Sequence, residues 1–321
     1  MSEPVVIKVI QRNSRHFDAK AFEYEPGFVF TTDPACRRYD WAVVYDEMPG
    51  SETLACPRAH TILATWEPVT IKAYSRAYTR QFAYLLTNRP ESAEKHPGYR
   101  LGRGYFYWFV DRTWSEASST VIPPKTKDLS IVCSSKQMKH TKHYARYVLC
   151  ERLSHLPGCD WYGHGVKGFG KKFDVLDPYR YHVAIENHVA ERHWTEKIAD
   201  ALLCECLPFY AGDPKLGEVL PVDSFIPIPI DDPEAAERIV REAIAGGEYE
   251  KRLPAIREAK RLLLSKYNFW AQVLEIVKAA PMAETDVKPF TLLPRKTVRS
   301  RSLSAMFDEG WFHLKQCFGA V

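Results

Sequence analysis

The chain has 321 residues, 45% of them hydrophobic and 13% aromatic, enough to bury a large core and long enough for two domains. Lys and Arg number 44 against 40 Asp and Glu, a net charge of +4 that excludes a dedicated nucleic-acid binder. The eight cysteines are scattered without paired C-x-x-C units, which speaks against a metal ribbon and for reduced thiols.

Short apolar runs predict strands at 5–10, 41–45, 61–65 and 82–87. The stretch 71–80 reads as helix or loop, so the first part alternates strand and helix. Residues 98–114, dense in glycine and aromatics, read as loops and short strands. Ile122-Pro123-Pro124-Lys125-Thr126-Lys127 reads as a linker and divides the chain near residue 125. Beyond it, a strand at 129–133 leads to the basic stretch Lys139-His140-Thr141-Lys142-His143 and a helix over 144–154. A short strand and turn at 160–163 opens a glycine-rich segment, 163–170.

Residues 181–226 hold the densest signal. An apolar strand at 183–185 gives way to Glu186-Asn187, a polar loop, and a helix opening at Thr195-Glu196-Lys197. Ile198, Ala201, Leu202 and Cys206 follow at helical spacing, which places Cys204-Glu205-Cys206 inside that helix with Cys206 toward the core. A second strand at 207–210 is closed by Gly212-Asp213-Pro214. Such a strand–helix–strand unit gathers polar residues at the helix N-terminus, where free N–H groups and the helix dipole favour a phosphate. Lys197 there adds a mobile positive charge, and Glu196 can accept hydrogen bonds from sugar or ribose hydroxyls. Their ordinary alternatives are a solvated lysine and an acid that stabilises the dipole.

Further helices are predicted at 233–245, 249–264 and 269–277, with Asp231-Asp232 opening the first of them at Pro233 rather than holding a metal. No D-x-D element stands at a strand end, and no acidic or histidine cluster has metal-ligand spacing. The end of the chain is basic from Pro294 to Arg301, and Leu303, Met306, Phe307, Trp311, Leu314 and Phe318 then recur at near-helical spacing. A basic stretch before an amphipathic helix suits an anionic membrane surface; the alternatives are packing on the chain's own body or on a partner subunit, giving a homo-oligomer. No apolar run approaches 18 residues.

Four ordered blocks carry a family resemblance: Glu186-Asn187, Thr195-Glu196-Lys197, Leu207-Pro208-Phe209-Tyr210-Ala211-Gly212, and Pro221-Val222-Asp223-Ser224-Phe225-Ile226. In order and spacing they resemble the donor motif of the family 10 glycosyltransferases, the α-1,3/1,4-fucosyltransferases. His188 and His193 depart from it, standing where that family has Ser and Tyr. The resemblance implies an α/β fold of the GT-B type, two Rossmann-like domains facing each other across a cleft. Residues 1–125 would then bind the acceptor, 126–280 the GDP-sugar donor, and 281–321 would form the basic, amphipathic tail.

The implied reaction is inverting transfer of fucose from GDP-fucose to a hydroxyl of a glycan acceptor. Another GDP-sugar, or a non-catalytic glycan- or nucleotide-binding role, is the alternative. The resemblance assigns donor binding to Glu186, Asn187, His193, Thr195, Glu196 and Lys197, and a pyrophosphate-binding cation to Arg146 or, second, Lys142. It assigns the catalytic base to Glu67 in Trp66-Glu67-Pro68, where proline forces an extended shape on the residue before it. Asp46 and Glu47 are competing acids. No cofactor is implied, with Mn²⁺ or Mg²⁺ at most stimulatory, and the expected setting is the cytoplasm of a bacterium or the inner face of its membrane.

Overall fold

Several runs in this sequence lack any alternation of polar and apolar residues, and the structure shows why. Trp41–Tyr45, Thr61–Thr65 and Leu207–Ala211 are buried at every position, as strands covered on both faces must be. The structure is a computed structural model that describes residues 3–12, 21–65, 67, 72–104, 110–137, 142–281 and 289–317. It divides into two compact units, Met1–Tyr105 with Phe269–Val321, and Phe106–Asn268.

The first unit opens with β1 (Val5–Gln11), β2 (Ala21–Glu25), β3 (Phe28–Thr31), β4 (Trp41–Tyr45), β5 (Glu52–Thr53), β6 (Thr61–Thr65), β7 (Tyr84–Thr87) and β8 (Tyr99–Leu101). Seven of these make a sheet in the order β2-β3-β1-β4-β6-β7-β8, parallel except for the β2–β3 hairpin. The predicted helix or loop at 71–80 contains one short helix, α1 (Arg76–Thr79), capped by Ser75.

The second unit begins with α2 (Trp114–Ser119), opened by a capping box of Thr113 and Glu116. It contains β9 (Lys127–Val132), α3 (His143–Ser154), β10 (Cys159–Tyr162), β11 (Tyr179–Ile185), α4 (Glu196–Leu203), β12 (Leu207–Ala211), β13 (Ile226–Pro227), α5 (Pro233–Ala245) and α6 (Glu248–Ser265). Its five-stranded sheet is wholly parallel, in the order β10-β9-β11-β12-β13. Asp232 caps α5 through the Ala235 N–H at 3.0 Å, with Pro233 in the first helical position. One expectation is corrected here: α4 stops at Leu203, because Glu205 takes a left-handed φ of 54° and breaks the helix. Cys206 is fully buried but belongs to the approach to β12.

The chain then returns to the first unit through α7 (Phe269–Ala279), β14 (Thr291–Leu292), α8 (Arg295–Arg301) and α9 (Leu303–Cys317). The physical reason is aromatic. Trp270 packs edge-on against Phe22 and Phe30, each at 4.9 Å between ring centres, and Phe269 meets Tyr45 at 5.4 Å. Gln81 exchanges two hydrogen bonds with the backbone of Leu293, at 3.1 and 2.9 Å, and Arg295 pairs with Glu47 at 2.9 Å.

These units do not coincide with a division at residues 125 and 280. Residues 110–126 are held to the second unit by Trp114 Nε1 on the Leu264 carbonyl at 2.9 Å and by Lys125 on the Cys204 carbonyl at 2.5 Å. The tail's apolar residues are likewise split. Val298 and Ala305 are buried in the first unit's core, whereas Leu303 and Phe307 are each 82% exposed and Met306 and Trp311 more than half exposed. Leu314 and Phe318 of the same stripe lie outside the side chains described. Among the described residues no helix is long and apolar enough to cross a membrane.

Candidate functional site

In the second unit the chain runs from β9 through α3 to β10 on one side, then crosses back to place β11 on the other side of β9. The carboxyl ends of β9 and β11 flank that reversal, the place where open parallel sheets bind ligands. Cys133 follows β9, and Glu186 and Asn187 follow β11. Arg146, in the first turn of α3, is buried and spans the two ends. Its Nη1 donates to Asn187 Oδ1 and its Nη2 to Cys133 Sγ at 3.4 Å, while Nε has no hydrogen-bond partner among the described residues. Lys142 behaves differently: it donates to both carboxylate oxygens of exposed Asp231, at 2.9 and 2.8 Å. Of the two cations named by the resemblance, Arg146 reaches the reversal and Lys142 joins a surface ion pair.

The start of α4 is knotted to the end of β11. Glu186 is fully buried, and its carboxylate accepts from Thr195 N–H at 2.8 Å and from Thr195 Oγ1–H at 2.6 Å. Thr195 Oγ1 accepts in turn from the Lys197 N–H, capping the helix. Lys197 Nζ lies 2.9 Å from Glu196, 3.1 Å from Thr195 Oγ1 and 3.5 Å from Glu186. Burial pushes the Glu186 carboxyl up, against the pull of Lys197 and the Thr195 donors. Burial would raise Glu196 too, but the Lys197 and Lys172 ammoniums outweigh it and hold Glu196 down to about 2. Lys197 stays charged, since its carboxylate neighbours overcome the effect of burial.

His193 is buried, and its ring meets that of His188 edge-on at 5.5 Å. Burial lowers the pKa of His188, which favours the neutral imidazole. Glycine is required at position 212. A Cβ there would lie 2.2 Å from the Tyr210 hydroxyl and 2.5 Å from Glu186 Cγ. Gly163 meets a similar limit after β10, with a φ of 143° and the Cys133 carbonyl 2.3 Å from where its Cβ would be.

The structure adds contacts to which sequence reasoning assigned no role. The Tyr210 hydroxyl accepts from Asp213 N–H at 2.9 Å beside Glu186. Asp200, inside α4, is fully buried and lies 2.5 Å from Lys172 Nζ. Its spacing of four from Glu196 was the available signal. It was hidden because an aspartate within a helix reads by default as a solvated residue, whereas α4 is buried at every position from Ile198 to Leu203.

Glu67 belongs to the first unit, two residues beyond β6, and its carbonyl accepts from Arg89 Nε at 3.1 Å and Nη2 at 2.5 Å. Trp66 and Pro68 of its motif lie outside the described residues. The competing acids at the end of β4 are committed to ion pairs. Lys72 lies 2.6 Å from Asp46 and 2.9 Å from Glu47, Tyr74 donates to Asp46, and Arg295 pairs with Glu47. Burial would raise Glu47, yet Lys72 and Arg295 hold it down to about 2. Among the described residues no group of three or more His, Cys, Asp or Glu could hold a metal ion.

An OtsA structure aligns over 88% of this chain and 100% of its own, at 6% identity and a TM-score of 0.51. A glycosyltransferase from Rickettsia africae ESF-5 aligns over 87% and 98%, at 8% identity and a TM-score of 0.50. An α1,3-fucosyltransferase structure aligns over 90% and 93%, at 13% identity and a TM-score of 0.48. No curated protein matches the chain. With two parallel-sheet units and the first two of these likenesses, the fold is of the GT-B class. Residues 122–241 match the family model described as glycosyltransferase family 10 (fucosyltransferase), C-terminal. That segment is similar to the C-terminal domain of the family 10 glycosyltransferases, and the site around Arg146, Glu186 and Lys197 lies within it.

Proposed function

We propose that this chain transfers fucose from GDP-fucose to a hydroxyl of a glycan, with inversion at the anomeric carbon and an α-1,3 or α-1,4 linkage. The observation that supports this most is Arg146 bridging the carboxyl ends of β9 and β11 inside the segment that matches the family. A guanidinium fixed there, with Lys197 and the α4 N-terminus, can offset the charge that develops on the departing diphosphate. Glu196 and Asn187 accept from or bridge donor hydroxyls, and Glu186 holds the Thr195 cap in place. Glu67 takes the acceptor's proton as its oxygen attacks the anomeric carbon, and the bond from that carbon to the diphosphate oxygen breaks. Glu47, held down to about 2, is a poor proton acceptor near neutrality, which favours Glu67.

Thermal shifts with sugar nucleotides test the donor. GDP and GDP-fucose are expected to stabilise the chain more than UDP or CMP ligands; equal or greater stabilisation by UDP-sugars overturns the reading. The exposed Leu303, Met306, Phe307 and Trp311 beside basic Arg299 and Arg301 support peripheral contact of α8 and α9 with an anionic membrane. Co-sedimentation with phosphatidylserine vesicles, lost in Phe307→Glu, is the expected result.

A further inference from the structure

Asp200 is out of place on its helix by any packing argument. It is fully buried in α4, where an apolar side chain would avoid the cost of desolvating a carboxylate. Its Oδ2 lies 2.5 Å from Lys172 Nζ, and its Oδ1 has no hydrogen-bond partner among the described residues. A buried carboxylate with one oxygen idle is a weak contributor to stability. Lys172 opens the 3-10 turn Lys172–Val175, just past the glycine-rich segment 163–170. Its backbone N–H is fixed to Asp111 Oδ2 at 2.7 Å, so the ammonium arrives at α4 from an anchored base. Glu196 stands four residues before Asp200, one turn nearer the helix start on the same face. The Glu196 side chain keeps 23% exposure, enough to meet a ligand.

We propose that Lys172 and Asp200 are positioning residues for donor binding: Asp200 holds the Lys172 ammonium one turn behind Glu196, and that charge fixes the Glu196 carboxylate in place to accept from the donor's hydroxyls. The inference rests on the donor reading of Glu196. Electrostatics agree with the geometry, since Lys172 acts on Glu196 alongside Lys197. Lys172 also keeps its own proton, because Asp200 and Glu196 outweigh the effect of burial.

A double-mutant cycle separates the two readings. Calorimetry with GDP-fucose, and KM and kcat from initial rates, are measured on the full chain with Glu196→Gln, Lys172→Met and both together. Each single variant should raise the donor Kd and KM about tenfold with kcat changed less than about twofold, and Lys172→Met should add nothing once Glu196 is Gln. Lys172→Arg, which keeps the charge, should restore most of the affinity. If Lys172→Met weakens binding equally in both backgrounds, Lys172 does not act through Glu196 and the inference falls while the donor reading stands. If Glu196→Gln leaves GDP-fucose binding unchanged, the donor reading of Glu196 fails, and this inference with it. Should Lys172→Met not fold, Lys172→Met with Asp200→Leu removes the buried pair together. That variant should regain the melting temperature but not the donor KM; regaining both overturns the inference.

Discussion

Arg146 and Asn187 meet side chain to side chain, one from the first turn of α3 and the other from the loop after β11, 41 positions apart in the chain. The contact joins the two strand ends between which the sheet reverses its order. It also leaves the Arg146 Nε without a hydrogen-bond partner among the described residues.

Arg146→Ala should therefore weaken GDP binding by roughly 10- to 100-fold, the size of a lost charge-assisted hydrogen bond. Lys142→Ala should change it less than about twofold, because an exposed pair such as Lys142–Asp231 contributes at most ~1 kcal/mol and lies elsewhere. Calorimetry with GDP on both variants decides it. Equal losses would bring Lys142 back as the diphosphate ligand.

Binding and chemistry should part at Glu67. Glu67→Gln is expected to lower kcat by about 10²–10⁴ while GDP affinity stays within about twofold. Unchanged turnover would move the base to Asp46, Glu47 or Glu186.

Glu47 predicts a pH effect on stability. Its carboxyl is held at about 2 against an ordinary value of 4.5, by Lys72 and Arg295 working against burial. The folded pKa is the lower one, so the stabilisation is present above about pH 4.5 and is lost as pH falls toward about 2. Glu47→Gln should remove about 2 kcal/mol at pH 7 and flatten the stability profile across that acid window. Chemical denaturation at pH 7 and pH 3 measures both; parallel profiles for the two proteins would refute the assignment.

Gly212→Ala should destabilise the second unit by about 1–3 kcal/mol, as overpacking against Tyr210 and Glu186 requires. GDP should bind more weakly as well, since Glu186 carries the Thr195 cap. A variant with unchanged melting temperature and affinity would mean that Tyr210 swings aside at no cost.

Metal dependence is open to a direct trial. With Arg146, Lys197 and the α4 N-terminus assigned to the leaving diphosphate, activity should persist in EDTA, with modest stimulation at most by Mn²⁺ or Mg²⁺. Complete loss in EDTA, restored by one ion, would return attention to Asp213 and the Asp231-Asp232 pair.

Much of the second unit was legible because its residues obey short-range rules. Strand β12 carries no charged residue, β9 and β11 end in the apolar stretches Ile131-Val132 and Val183–Ile185, and α5 announces itself with Asp232-Pro233. The order of Glu186, Thr195 and Lys197 is likewise a local pattern, readable before any packing is known. The β2–β3 hairpin was missed although Glu25-Pro26-Gly27 marks a turn, with Gly27 at a φ of 83°, between two aromatic-rich runs. What sequence could not supply was long-range. The choice of Arg146 over Lys142 depends on where Asn187 and Asp231 come to rest. The return of Trp270 to Phe22 and Phe30 joins residues about 240 positions apart. No linker signal announces that Phe269 leaves one unit for another, because the change follows Asn268, whose side chain closes on the Leu263 carbonyl at 3.0 Å.

That return has a temporal meaning during synthesis. Ribosomes release the chain from its amino end, so the residues that flank the Trp270 position emerge early and wait for their filler. The intervening segment, Phe106–Asn268, is contiguous and can reach its own minimum while still tethered. The packing of the amino-terminal sheet is therefore completed last, and the faces of Phe22 and Phe30 that Trp270 covers stay open until residue 270 has been made.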